Sequence, residues 1–316
     1  MVSLLARTAD RLYWGARYVE RAEDTARVVR AYNDLVADYP SEELLRWEPL
    51  AALTGSDETI EIPSSDPSGE FTILRSLVAD RSNPSSIAST VSAARANLRT
   101  TREVMPREAW QAINQLSQYV DATANGAVER QLRDRFLLRV IEMSRRLDGI
   151  LESTMSRGDA YRMIRLGRLI ERADMTTRVL GVAAAGLLQL EATDRDELII
   201  DEVRWMNVLR SVSALQMYQR AVRGPIDGMD VVKFLMYHSA FPRSVQGCFD
   251  EIREVLGFLP NCEGVRGALS SAEAVLHTLT PDASEGSRLD QSMERVQVAI
   301  AEIAAALHDT YVGDVV

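Results

Sequence analysis

Lysine is almost missing from this sequence. Lys233 is the only one in 316 residues, so nearly all the positive charge is arginine. A Schiff-base lysine or a Walker-type phosphate lysine is all but excluded, whereas guanidinium forks that pair carboxylates bidentately abound. Cysteine is scarce: Cys248 and Cys262 make no disulfide framework and fit a reducing compartment. The three histidines, His238, His277 and His308, are scattered, and neither His-Glu-x-x-His nor Glu-x-x-His occurs, so no metal site is expected. A P-loop and a Gly-rich dinucleotide fingerprint are absent, so no cofactor is expected. There is no basic excess. The net charge of −10 and pI near 5.0 argue against a broad nucleic-acid surface. Long apolar runs are lacking as well. The longest, around Val179 to Leu190, is too short to span a bilayer, and MVSLLARTADRLYW has no apolar core of a secretion signal. The expected location is cytoplasmic.

What remains is 46% hydrophobic and 26% charged, a globular composition long enough for one large domain or two ordinary ones. Helical periodicity dominates. From Ser3 to Val36, Leu5, Ala9, Leu12, Ala16, Val19, Ala22, Ala26 and Val29 recur at helical spacing. Tyr39-Pro40 ends that run, and Ser41 opens a short helix to about Leu53. Thr54 to Gly69, rich in Ser, Pro, Asp and Gly, reads as a loop whose one alternating stretch is Thr59 to Ile62. Phe71 to Asp80 reads as a short helix, and Asn83 as the N-cap of a longer one with Pro84 at its first position. Helices follow after Pro106, then over about Ala127 to Ser153, Gly158 to Leu190, Asp196 to Val222, Met229 to His238, Pro242 to Leu256, Val265 to Leu279 and Arg288 to Thr310. The expected fold is all-α, a bundle of long antiparallel helices.

Two segments nearly repeat. GARYVERAEDTARVV (Gly15 to Val29) and GRLIERADMTTRVL (Gly167 to Leu180) match on their Glu-Arg dipeptides. Arg17, Glu20, Arg21, Glu23, Thr25 and Arg27 fall in step with Arg168, Glu171, Arg172, Asp174, Thr176 and Arg178. The offset of 151 residues is close to half the chain, which predicts one domain, 1–316, of two related halves, about 1–153 and 154–316. On a helix, Val19, Ala22, Ala26 and Val29 form a core stripe and the charges take the other arc. Taken singly, each segment fits a solvated, salt-bridged face. Taken together, they fit two helices meeting near a pseudo-twofold axis, each Glu facing the other helix's Arg, with Ala22 and Ala173 permitting close approach.

SLLARTADRLYWGARYVERAEDTARVV, RGDAYRMIRLGRLIERADMTTRVL (Arg157 to Leu180) and YHSAFPRSVQGCFDEI (Tyr237 to Ile252) resemble, in order, three signatures of the α-E domain family, a bacterial all-helical group with an ER motif. The likeness spans most of the chain. One departure is that Ala16 precedes Arg17, where the second copy has Gly167 before Arg168. The resemblance implies a setting in which circularly permuted ATP-grasp ligases and transglutaminase-like proteases are neighbours, and synthesis or modification of peptides through amide bonds. Carried over by position, the residues at stake are Arg17, Glu20, Arg21, Glu23 and Arg27; Arg157, Asp159, Tyr161, Arg168, Glu171, Arg172, Asp174 and Arg178; and Pro242, Arg243 and Ser244.

Two readings stand. In one, the chain works with an ATP-grasp ligase, and an Arg/Glu cavity lined by both ER helices binds a carboxylate-bearing peptide or an acyl phosphate. Arg17, Arg21, Arg27, Arg157, Arg168, Arg172, Asp174, Arg178, Arg243 and Ser244 then hold the substrate, and Glu20 or Glu171 takes a proton in a catalytic version. In the other, the chain is a non-catalytic scaffold and the ER motifs form a structural ion network. Pro242 at the first helical position sets Arg243 and Ser244 in the first turn, open to an anion or to solvent. His238 reads as a residue near a helix C-terminus, Cys248 as a small buried residue, and exposed helical faces leave room for a homodimer.

Overall fold

A computed structural model describes residues 4–38, 47–54, 60–66, 68–184, 196–279 and 286–313. The described chain is helical throughout, without a strand. Its helices are α1 (Ala6–Asp38), α2 (Glu70–Val78), α3 (Ile87–Arg99), α4 (Arg107–Thr123), α5 (Arg130–Thr154), α6 (Asp159–Ala184), α7 (Asp196–Ser211), α8 (Leu215–Ala221), α9 (Gly228–Tyr237), α10 (Val245–Leu256), α11 (Glu263–Thr278) and α12 (Gly286–Tyr311). A 3₁₀ segment, Glu48–Thr54, follows α1. No helix among the described residues is long and apolar enough to cross a membrane.

The long helices α1 and α6 pack on each other at the centre. α3, α5 and α7 pack on α1, and α4 joins α3 to α5. α10 and α12 pack on α6, and α11 joins α10 to α12. A single hydrophobic core, from Ala9 to Leu307, runs through the whole assembly. Its area law of about 25 cal/mol per Å² of apolar surface makes this core the main source of stability.

α1 departs from an ordinary surface helix. Its apolar stripe is buried as expected, with Leu12, Val19, Ala22, Ala26 and Val29 all in the core. The opposite arc is buried too: Glu20, Glu23, Asp24 and Arg27 are each at most 6% exposed. A helix can be enclosed on both sides in this way only if its charges are paired.

Some expected boundaries shift. The run from Asp196 to Val222 is two helices, because Ser213 takes a left-handed φ of 54° between α7 and α8. The Ser213 and Ala214 amides turn back onto the Arg210 and Leu209 carbonyls, which closes α7. Asn83 does not cap α3; Ser86 does, accepting from the Ser89 amide, while Asn83 is buried and donates to Ser76. Residues 41–46 of the expected helix from Ser41, Thr59 and the end of Gly158 to Leu190 lie outside the described residues; the rest of that first helix falls on the 3₁₀ segment Glu48–Thr54, and Ile60 to Ile62 form no strand.

Candidate functional site

The crossing of α1 and α6 depends on two small residues. A Cβ on Gly167 would stand 2.3 Å from the Tyr13 carbonyl oxygen, so glycine alone permits this approach. Ala16 lies beside it, 3.3 Å from that same Cβ position. The Gly167/Ala16 difference between the two copies therefore falls at the contact itself: one helix supplies glycine, the other a methyl that fits against it.

Either side of this point the two ER motifs exchange charges. Arg17 Nε donates to Glu171 Oε2 at 2.7 Å, and Arg21 donates to both carboxylate oxygens of Glu171. In return, Arg172 donates to both oxygens of Glu20 at 2.8 and 3.2 Å, and Arg168 Nε lies 3.5 Å from Glu20 Oε2. Arg-x-x-Glu-Arg explains the pattern. Arginines four apart share a helix face, so both reach one carboxylate on the partner helix. Both glutamates are 1% exposed. Burial opposes their ionisation, yet the guanidiniums outweigh it: Arg172, Arg243 and Arg168 hold Glu20 well below the usual carboxylate range, and Arg17 with Arg21 lowers Glu171. Aromatic rings support the arginines, with Arg17 4.9 Å from the Trp14 ring and Arg21 5.8 Å from that of Tyr18.

The network is wider around Glu20 than around Glu171. Arg243 reaches in from the α9–α10 connection, donating to Glu20 at 2.9 Å and to Asp24 at 2.7 Å. Glu23 accepts from Arg27 and, at 3.1 Å, from Arg145 of α5. Asp148 of α5 pairs with Arg168 at 2.7 Å. Burial pushes both Asp24 and Asp148 up to about 7, against the pull of Arg243 and Arg168 respectively. Asp24 Oδ2 is buried without a hydrogen-bond partner. Carboxylate oxygens of Glu20, Glu23 and Asp148 lie within 4.8 Å of one another, a spacing that could suit a cation. Five guanidiniums, from Arg27, Arg145, Arg168, Arg172 and Arg243, already pair with these acids and Asp24, so cations outnumber the four carboxylates.

The other candidate residues lie outside this network. Asp174 and Arg178 form an i,i+4 pair at 2.7 Å, the partly exposed counterpart of Glu23 and Arg27. Arg157 is exposed, binds Glu152 and stacks on the Tyr161 ring at 4.2 Å. Asp159 pairs with Arg162. The expected first turn of α10 is corrected. Ser244 is the N-cap, accepting from the Gly247 amide, and Pro242 and Arg243 precede the helix. Arg243 is neither solvent-facing nor aimed at an anion outside; Glu20 and Asp24 draw it inward, and Thr176 holds its carbonyl at 2.8 Å. His238 is the C-cap of α9, and Cys248 is buried, its thiol pushed up to about 12 by burial.

Beside the network lies a cleft of about 300 Å³. Arg165, Arg168 and Arg172 line its α6 wall, Asp148 and Glu152 come from α5, and Glu251 from α10. It is lined by one ER helix, not by both as the sequence led one to expect. Arg165 pairs with Glu251, and Tyr161 with Glu152. Asp148, Glu152, Arg165 and Glu251 were not singled out in the sequence. Only Arg165 carried a signal, since it precedes Arg168 and Arg172 at helical spacing.

No curated protein and no solved structure matches the chain. The crossed pairing of two Glu-Arg motifs, on an all-helical frame, agrees with a family model that matches the chain, described as "a predicted alpha-helical domain with a conserved ER motif". That match covers residues 4–312, and the chain belongs to the Alpha-E family.

Proposed function

We propose that the repeated ER motif is an interhelical ion lock, and that the chain is a helical binding module that presents the end of a peptide to a partner ATP-grasp ligase for amide-bond formation. The observation that carries this reading is the saturation of Glu20 and Glu171. Each is 1% exposed and bound by two or more guanidiniums, with its pKa lowered, which makes it a poor proton acceptor. The lock leaves the adjacent cleft as the place for a ligand. Arginines on its α6 wall suit a carboxylate, and carboxylates on its α5 and α10 walls suit an ammonium group. A small zwitterion, the free end of a peptide or an amino acid, meets both demands. The same reading takes residues 1–153 and 154–316 as related copies. Support comes from the crossed ER pairs and from Pro84 and Pro242, each two residues before a serine N-cap, Ser86 and Ser244.

The test separates lock from cleft. The double substitution Arg165→Ala, Glu251→Ala removes a partly exposed cleft pair. It should abolish binding of a dipeptide in calorimetry, and product formation with the ligase, at nearly unchanged thermal stability. Glu171→Gln should lower the melting temperature yet leave product formation intact at temperatures where the variant is folded. Loss of product by Glu171→Gln at unchanged stability would overturn the lock.

A further inference from the structure

A second half-open cavity, of about 400 Å³, lies between the C-terminal half of α1, α5 and the α7–α8 turn. It shares no residue with the cleft described above. Arg27, Arg30, Arg145 and Arg210 line it, and among the described residues Asp34 is the one acidic residue that does. Glu23 anchors both Arg27 and Arg145 from behind, and Asp134 pairs with Arg30 at 2.6 Å, so the guanidiniums are held in place around the cavity. Such a local concentration of guanidinium attracts an anion.

Two of these arginines are already aimed. Arg27 is 6% exposed, fixed at one end by Glu23, and donates Nη1 to Ser213 Oγ at 2.9 Å. Arg145 is held by the same Glu23 oxygen and donates Nη2 to Ser213 Oγ at 3.4 Å. Two guanidiniums thus converge on one neutral hydroxyl. A hydroxyl that accepts twice keeps its own proton to give, so the trio offers a ligand three donor groups at one point. Ser213 is placed there by its left-handed φ of 54°, a conformation glycine would hold at lower cost. The cavity also has an apolar wall of Leu138, Ile141 and Leu215, with Leu138 38% exposed.

We infer that this cavity binds a phosphate monoester that carries an apolar group. A phosphate has three terminal oxygens to accept from the two guanidiniums and the Ser213 hydroxyl together, where a carboxylate has two. The apolar substituent covers Leu138, Ile141 and Leu215.

Calorimetry with phenyl phosphate, inorganic phosphate and phenylacetate tests this on the full chain. Phenyl phosphate should bind, and more tightly than either fragment. Arg145→Gln should weaken it about tenfold or more, the loss of one charge-assisted contact. Ser213→Gly should also weaken it while keeping the turn and the melting temperature, because glycine adopts the positive φ. Arg165→Ala, in the other cleft, should leave it unchanged. Co-sedimentation with phosphatidic-acid vesicles, against phosphatidylcholine vesicles, tells a lipid headgroup from a soluble ester. Absence of saturable binding to phenyl phosphate together with no preference for phosphatidic-acid over phosphatidylcholine vesicles, or equal binding by wild type, Arg145→Gln and Ser213→Gly, would overturn the inference.

Discussion

Glu20→Gln should cost more stability than Glu171→Gln, although the two residues are equivalent in sequence. Gln keeps the shape but removes the charge, and turns one oxygen acceptor into a donor facing guanidinium donors. Removing one partner of a buried ion pair costs about 3–5 kcal/mol, mostly the penalty of the charge left behind. At Glu171 the stranded groups are Arg17 and Arg21, whose side chains are 12% and 22% exposed and rest on aromatic rings, so water relieves part of the cost. Roughly 2–3 kcal/mol follows. At Glu20 the stranded groups are Arg168, Arg172 and Arg243, the last 9% exposed and enclosed with Asp24. The full figure of about 3–5 kcal/mol applies there. For a chain this long each kcal/mol moves the melting temperature by roughly 2 °C, so Glu20→Gln should lower it by about 6–10 °C. Urea unfolding followed by circular dichroism measures both values, with an unchanged slope as the check that only stability moved. Replacing the whole Glu171 cluster, Glu171→Met with Arg17→Met and Arg21→Met, should recover most of the loss, since no charge is then stranded. The reasoning fails if Glu171→Gln proves the costlier, or if both variants cost less than about 1 kcal/mol.

The same buried charges shape the pH dependence. Asp24 and Asp148, raised to about 7, keep their protons in the folded state between about pH 4 and 7, where the unfolded chain has released them. Stability therefore falls as pH rises through that window. Glu20 and Glu171, lowered by their arginines, contribute stability that is complete above their unfolded pKa and lost as pH falls below it. The urea midpoint should peak near about pH 5, and Asp148→Asn should flatten the decline above it; a midpoint rising steadily from pH 5 to 8 would contradict this. Gly167→Ala should cost about 1–3 kcal/mol or more, because its methyl meets the Tyr13 carbonyl rather than a side chain that can turn aside. Gly267→Ala on exposed α11, where a Cβ meets nothing within 4 Å, should instead stabilise by about 0.5–1 kcal/mol in the same unfolding assay. Arg243→Met should destabilise about as much as Glu20→Gln, and any gain in urea midpoint would refute its place in the network.

Most helices were legible because their signals are local. Apolar residues at helical spacing and a breaker such as Tyr39-Pro40 act within a few turns. The failures were local signals of the wrong kind. Ser213 splits Asp196 to Val222 into two helices, yet no glycine or proline marks the turn; serine takes the left-handed conformation without announcing it. Asn83-Pro84 and Pro242-Arg243 both read as helix starts, while the caps are the serines that follow, Ser86 and Ser244, one hydroxyl each on the third amide downstream.

The site divides along a different line. The crossed Glu–Arg exchange could be read because the chain carries the motif twice, so a spacing rule on one helix implied its complement on the other. Whatever has no second copy was hidden. Arg243 is one residue of a loop, and Asp148 one acid on a charged helix; only the packing of α5 and α10 on the central pair brings both to Glu20. This is also why the two copies, alike in sequence, differ in chemistry. Around Glu171 the charge balance is local, one carboxylate between two arginines of α1. Around Glu20 it is shared among four carboxylates and five guanidiniums from four parts of the chain, and there the carboxyl groups of Asp24 and Asp148 are pushed close to neutrality. A perturbation at α5 or α10 therefore reaches Glu20 directly, while Glu171 answers only to α1. The cleft borders the Glu20 side, and Asp148, Arg168 and Arg172 belong to both the cleft wall and the network.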